Sequence, residues 1–183
     1  HSGDLINRDI LDLGCGAGRL SIYLQPHVGS LTGFDVSSYM IEHCRKRFDG
    51  RFVEGDMRDL SIFPDHSFDT VFAISNLFDS VSHHDRIKVL AEVHRVLRPN
   101  GLLIFSAHNR NYDRIGQGPT LCWRRNPVTQ IKHLIEYVIA KMNHRRWKSH
   151  QRWEKDYALV NDSGNNFVTL HSQTCCTVSL FVA

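Results

Sequence analysis

Ile10-Leu11-Asp12-Leu13-Gly14-Cys15-Gly16-Ala17-Gly18-Arg19-Leu20 begins as an apolar strand and runs into glycines at every second position before a helical pattern takes over. Glycines spaced in this way let the backbone turn sharply and approach a ligand with no Cβ in the way. A helix starting behind them would aim its N-terminal N–H groups and positive dipole end into the same space. The stretch therefore predicts a strand–loop–helix pocket of the kind that holds a nucleotide.

Outward from this loop, short apolar runs alternate with helical patterns as far as residue 109. Strands are expected at 9–13, 31–35, 51–54, 70–74 and 102–107, and helices at 19–24, 38–48 and 84–97. The last helix is marked by Ser82 and Asp85, a capping-box pair, and by the apolar stripe Val89, Leu90, Val93, Val96 and Leu97. Arg98-Pro99-Asn100-Gly101 stops it. Such alternation implies parallel strands joined by right-handed helical crossovers, hence an α/β, doubly wound sheet whose ligands bind beyond the carboxyl ends of the strands.

The 183 residues suffice for one core and are read as a single domain. No apolar run is long enough to span a bilayer and no signal-peptide pattern opens the chain, so no membrane partner is expected. Cys15, Cys44, Cys122, Cys175 and Cys176 are odd in number and lack a C-x-x-C spacing, which argues against a disulfide framework and a zinc site and for a reducing, cytoplasmic setting. Twelve histidines include the pair His83-His84, but no acid or cysteine stands at a ligand-like spacing and no metal is expected. The chain begins at His1, not methionine, which reads as a trimmed or processed chain.

Charge is distributed unevenly. Residues 124–153 carry eight basic side chains against Glu136, a net +7, while the rest of the chain carries −4. Trp123, Trp147 and Trp153 lie in or beside this segment. Asn126-Pro127 reads as a cap and first-turn proline, followed by Ile131, Leu134, Ile135, Val138, Ile139 and Met142 at helical spacing. The composition break marks 110–155 as a basic helical lid insertion, its apolar stripe packed and its basic face solvated. Next, 157–160 and 167–171 flank the turn-rich Asn161–Asn166 and read as a hairpin.

A dinucleotide loop is normally G-x-G-x-x-G. Here the third glycine comes one place early, at Gly18. At this point the chain resembles the class I S-adenosylmethionine-dependent methyltransferases of the small-molecule type, whose first motif is an acid, a spacer and G-x-G-x-G; Asp12-Leu13-Gly14-Cys15-Gly16-Ala17-Gly18 matches it throughout. The resemblance extends over 9–109, through Asp35 at the end of the second strand, Asp56 in Glu54-Gly55-Asp56-Met57-Arg58, the strand ending at Ser75-Asn76, and the helix-turn-strand 93–104. It implies a Rossmann-like, mostly parallel sheet flanked by helices. It also implies a cofactor-binding core at 1–109, a lid at 110–155, and a hairpin and final strand at 156–183.

The resemblance further implies S-adenosylmethionine as cofactor, S-adenosylhomocysteine as product, and cofactor contacts from Asp12, Gly14, Cys15, Gly16, Gly18, Asp35, Val36, Met40, Asp56, Met57, Ser75 and Asn76. Asp35 would take the ribose hydroxyls and Asp56 the adenine amino group, with the Met57 backbone beside the ring. Each acid also has a plain reading: Asp12 as a turn cap, Asp35 as a turn residue, Asp56 as a solvated loop acid.

Methyl transfer is an in-line displacement in which positioning supplies most of the rate, and a base is needed only for a protonated hydroxyl or amine acceptor. His108, His83 and Tyr112 are the candidates for base or acceptor-orienting roles, with ordinary loop polarity as the alternative. The expected reaction is methyl transfer to an O or N atom of a small molecule. Its rivals are an RNA or protein methyltransferase docking through the basic segment, a non-catalytic binder of S-adenosyl ligands, and a nicotinamide oxidoreductase, which the early third glycine and Asp56 disfavour. Nucleic acid is thus a secondary partner reading, because no RNA-binding motif accompanies the basic residues.

After the hairpin only twelve residues remain, too few for the helix and strand pair that usually finish this family's seven-stranded sheet. The edge beyond the fifth strand is expected to stay open or to be covered by 178–182, with self-association through the open edge as a consequence. Residues 157–171 could instead supply the missing strands.

Overall fold

A computed structural model describes residues 6–108, 118–162, 166–171 and 179–182. The chain divides into two compact units: His1–Phe78 with Ser82–Ala107 and Cys175–Ala183, and Asp79–Val81 with His108–Thr174.

The first unit is built on a sheet of strands β1 (Asp9–Leu13), β2 (Ser30–Asp35), β3 (Arg51–Glu54), β4 (Phe68–Ala73), β5 (Leu97–Phe105) and β9 (Ser179–Val182). Their order is β3-β2-β1-β4-β5-β9. The first five run parallel and β9 antiparallel. The strand order reverses between β1 and β4, so the carboxyl ends of those strands flank the crevice that doubly wound sheets use for ligands.

Side chains alternate across the sheet as the pleat requires. Leu11, Leu13, Phe34, Val71 and Ala73 belong to one buried cluster, with Val89, Val93 and Val96 of α3 (His83–Val96). Ile10, Leu31 and Phe72 belong to the opposite cluster with Leu24. Burial on both faces explains why these strands read as near-continuous apolar runs.

The helices depart from the sequence reading in length. The one behind the glycine loop, α1, is a single turn, Ser21–Leu24, passing at once into a 3-10 turn, Gln25–His27, that contains Pro26. Proline has no N–H to continue the ladder. So short a helix carries little macrodipole, and the dipole part of the anion-pocket expectation loses its basis here. Helix α2 is Ser38–Arg45, not 38–48. The Arg47 and Phe48 N–H groups turn back onto Cys44 O at 3.0 and 2.9 Å. Phe48 then lies over the glycine loop, where a Cβ at Gly18 would fall 2.3 Å from its ring.

Helix α3 is capped as expected: Ser82 Oγ accepts the Asp85 N–H at 3.1 Å and its hydroxyl donates to Asp85 Oδ2 at 2.9 Å. It ends at Val96. The stop sequence that follows is itself the start of β5, with Leu97 opposite Phe68 and a register shift before Leu102 meets Thr70. Asn100 takes the left-handed conformation, φ +64°, that lets the strand bulge there.

Residues 55–67 make no helix or strand, yet Leu60 and Phe63 are fully buried. Arg95 holds this segment from α3. It donates to Leu60 O at 2.9 Å and Phe63 O at 3.0 Å and pairs with Glu92 and Asp65, both at 2.8 Å. Glu92 in turn accepts the Leu60 N–H at 2.9 Å.

At the far edge, β9 pairs antiparallel with β5, Val182 opposite Leu102 and Ser179 opposite Phe105. The 157–171 segment belongs to a separate sheet. That sheet, in the second unit, has the order β6 (Arg152–Trp153), β7 (Tyr157–Asp162), β8 (Asn166–His171), with β7 and β8 antiparallel from Tyr157 opposite His171 to Asp162 opposite Asn166. The same unit contains α4, Pro127–Trp147, capped by Asn126 Oδ1 on the Val128 N–H at 2.9 Å.

Arg95→Ala removes the groups that satisfy two loop carbonyls and unpairs Glu92. The expected cost is about 1–3 kcal/mol, read as a lower midpoint of urea unfolding at unchanged slope; an unchanged midpoint would show that the 55–67 segment does not depend on the clamp.

Candidate functional site

Gly14, Gly16 and Gly18 all take positive φ, +70°, +51° and +80°. The loop they form is tied to the end of β2 by the Gly14 and Cys15 N–H groups, which donate to Phe34 O at 2.7 and 3.2 Å. At Gly16 a Cβ would meet nothing within 4 Å, so this turn faces open space while Gly18 faces Phe48.

Asp35 closes β2 and links three pieces. Its Oδ2 accepts the Gly16 N–H at 2.8 Å and its Oδ1 accepts the Ser37 N–H at 2.9 Å. Ser37 caps α2 by accepting the Met40 N–H. Val36, beside Asp35, is 71% exposed, an apolar side chain left in water at the carboxyl end of the sheet.

Asp12 is buried beneath the loop. Its Oδ2 accepts the Ser21 hydroxyl at 2.7 Å, while Oδ1 has no hydrogen-bond partner among the described residues. Burial pushes its pKa up to about 6; the Ser21 bond offsets part of that and the nearby Asp35 charge adds to it. Cys15 and Cys44 are buried against the same loop, Cys44 Sγ donating to Gly16 O at 3.2 Å. Burial raises both thiols, which keeps them protonated packing groups.

Across the crevice, Ser75 and Asn76 follow β4 in consecutive left-handed conformations, φ +62° and +58°. Arg19 donates to Ser75 Oγ and so bridges the loops after β1 and β4. The Asn76 N–H donates to Ser106 Oγ at 2.9 Å. Asp56 follows β3, but Arg58 already grips its carboxylate, with contacts of 2.5 to 3.0 Å, and holds its pKa below the usual range. Met57 packs partly buried on the core beside it.

In the second unit, His108 Nδ1 lies 2.8 Å from Oδ2 of the buried Asp79, which also accepts the His108 N–H at 2.7 Å. His83 opens α3, and Tyr112 lies outside the described residues. The structure thus joins Asp12, Gly14, Cys15, Gly16, Gly18 and Asp35 through one loop and sets Ser75 and Asn76 on the adjoining strand end. Sequence reading missed the groups that orient these residues: Ser21, Ser37, Ser106, Cys44 and Asp79. Ser21 and Ser37 stand at helix starts, Cys44 near the end of α2 and Ser106 just after β5, and except at Ser37 the partner is fixed by the fold rather than by sequence neighbours.

A model of the methyltransferase domain matches residues 10–101. The fatty-acid O-methyltransferase of Mycolicibacterium smegmatis is 37% identical over 117 residues, 60% of this chain and 40% of that protein. The malonyl-[acyl-carrier protein] O-methyltransferase of Pectobacterium atrosepticum is 32% identical over 166 residues, 88% of this chain and 60% of that protein. The chain thus spans 40–60% of the length of these relatives. A crystal structure of a SAM-dependent methyltransferase from Methanosarcina mazei shares the fold, with a TM-score of 0.57 and 24% identity over 90% of this chain and 72% of that one.

The buried Asp12 couples this site to stability. The folded chain keeps its proton up to about pH 6, whereas an unfolded aspartate releases it near pH 3.9. Between these values the native state binds more protons, so stability falls as pH rises through the window and the loss is complete above it. Asp12→Asn is expected to remove this slope, its advantage over the wild type growing from pH 4 to 7 to at most about 3 kcal/mol. Urea unfolding of both proteins at unit pH steps measures it, and a constant difference across the window would refute the assignment.

Proposed function

The chain belongs to the methyltransferase-domain family, of the class I S-adenosylmethionine-dependent kind, and from that premise we propose that it transfers a methyl group to an O or N atom of a small molecule. The observation that carries the reading is the Asp35 carboxylate at the end of β2, with each oxygen anchored by one backbone N–H. That leaves lone pairs for a ribose diol while fixing the direction in which they point.

The loop fits the rest of such a ligand. Asp12 Oδ1 is a buried acceptor without a partner, suited to an ammonium group. Gly16 opens onto empty space, so backbone approaches the ligand there. Val36, Met40 and Met57 offer apolar surface to the adenine. Asp56 contributes least of the acids, because Arg58 shares its carboxylate. Ser75 and Asn76 border the methionine end. When bound, the cofactor supplies an electrophilic methyl with a built-in leaving group.

Where the acceptor is a hydroxyl or amine, His108 is the residue to take its proton. A carboxylate at Nδ1 favours the tautomer protonated there, and so assigns proton acceptance to Nε2. Asp79 is then a positioning residue. The relatives named for a fatty acid and for malonyl-[acyl-carrier protein] support a carboxylate oxygen as the acceptor class. A carboxylate needs no base, and a hydroxyl or amine does, so the effect of removing His108 separates these acceptors.

Asp35→Ala is expected to weaken S-adenosylmethionine binding roughly ten- to a hundredfold in calorimetry; unchanged affinity in the folded variant would overturn the cofactor assignment. With a hydroxyl acceptor, His108→Ala should lower kcat by about 10²–10⁴-fold. Asp79→Asn should lower it less, with KM for the cofactor unmoved in both. Equal kcat in all three proteins would remove His108 from the reaction.

A further inference from the structure

Helix α4 is inverted relative to its sequence pattern. Ile131, Leu134, Ile135, Val138, Ile139 and Met142 were expected to pack inward, yet they are 45–66% exposed. The helix meets its own unit with the opposite face. His144 is buried against Gly118, and Ala140, Tyr137 and His133 border a groove with Pro119 and Thr120.

At about 100° per residue the six apolar side chains cover an arc of about 140°. Lys132 and Lys141 border that arc on its two sides, and Arg145 and Arg146 continue it at the C-terminal end. All four are exposed. Glu136, the one acid of the segment, falls outside the arc beyond Lys132. Exposed Trp123 stands just before the helix.

We infer that this arc is a docking face for an anionic lipid bilayer, on which α4 lies in the plane of the headgroups. An apolar stripe edged on each side by a lysine and closed at its C-terminal end by two arginines, with tryptophan before its other end, is an arrangement that can bury its apolar side at the headgroup boundary while long cationic side chains reach outward to phosphate. Basic residues at the margins select anionic headgroups. A second copy of the chain is disfavoured by the same charges: a two-fold contact would set one cationic margin against another with only Glu136 to offset it. RNA would engage the charges and leave the apolar arc in water. No described helix is apolar enough to cross a membrane, so contact stays at the surface. The expectation of no membrane partner rested on the lack of a spanning run and of a signal-peptide pattern, and neither bears on a helix lying in the headgroup plane. The inference does not depend on the methyl-transfer reading.

The test is co-sedimentation of the 183-residue chain with vesicles of phosphatidylglycerol and phosphatidylcholine in equal parts, and of phosphatidylcholine alone, with light scattering on the same samples. The expected result is binding to the anionic vesicles, weaker by roughly tenfold or more on phosphatidylcholine. Ile135→Glu with Ile139→Glu, and separately Lys132→Gln with Lys141→Gln, should each lower it by a similar factor. These positions are exposed, so far-UV circular dichroism should be unchanged. Absence of binding to anionic vesicles, equal binding to both vesicle types, or indifference to the isoleucine pair overturns the proposal. A dimer in solution that the isoleucine pair abolishes, without vesicle binding, assigns the face to a second copy instead. RNA binding lost with the lysine pair, again without vesicle binding, assigns the segment to nucleic acid.

Discussion

The Asp35 carboxylate is the tie on which the site depends. One oxygen holds the Gly16 N–H and the other the Ser37 N–H, so the glycine loop and the start of α2 are fixed to the same strand end. Phe34 O, one residue earlier, receives the Gly14 and Cys15 N–H groups. Four backbone donors that no helix or strand would satisfy are thereby accounted for. The two that end on the Asp35 carboxylate are charge-assisted, which makes them the stronger kind. With the loop held, Cys15 and Cys44 pack beneath it, and the Phe48 ring closes on Gly18.

Carboxylates elsewhere in the same unit show what a purely structural acid looks like. Asp9 and Asp69 share Arg98 across three strands, and Glu92 and Asp65 share Arg95. Hydrogen bonds from Ser30 and Arg98 to Asp9, and from Arg95 to Glu92, hold those two below the usual carboxylate range. Asp12 runs the other way. It is buried, bonded through one oxygen to a neutral hydroxyl, and raised. A fold that pairs its acids so regularly and leaves this one short of partners has sacrificed local stability at the loop, which is where function most often opposes it. A cation brought to the orphan oxygen would relieve the cost.

What could be read from the sequence was what is local. Strand alternation, the three positive-φ glycines and the Ser82–Asp85 cap each follow from neighbours within a few residues, and each lies close to where the pattern set it. Lengths were less legible: the first helix opens at Ser21, two residues later than the pattern suggests, and the turn at Arg47–Phe48 ends α2 three residues before the periodicity does. Least legible were partners brought together by the fold. Arg95 reaches Leu60 O across 35 positions and His108 meets Asp79 across 29, and nothing near either residue announces the other. Asp56 and Arg58 are only two positions apart, yet a motif reading that hands Asp56 to a ligand passes over that arginine.

Helix α4 shows a different limit. Periodicity correctly identified which of its residues share an apolar face, but a pattern within one helix says nothing about what covers that face. The histidine-bearing side found the local partner, and His133 Nδ1 and His144 Nδ1 are buried without hydrogen-bond partners among the described residues. That packing is a poor source of stability, since a buried polar atom left unpaired costs about what a hydrogen bond contributes. The helix therefore leans on its Asn126 cap and on its own length, 21 residues, more than on its unit. Its largest unrealised gain lies in burying the isoleucine side against something else. A charged margin around that side decides what the something can be, and it is charge, not hydrophobicity, that turns an exposed stripe into a selective surface.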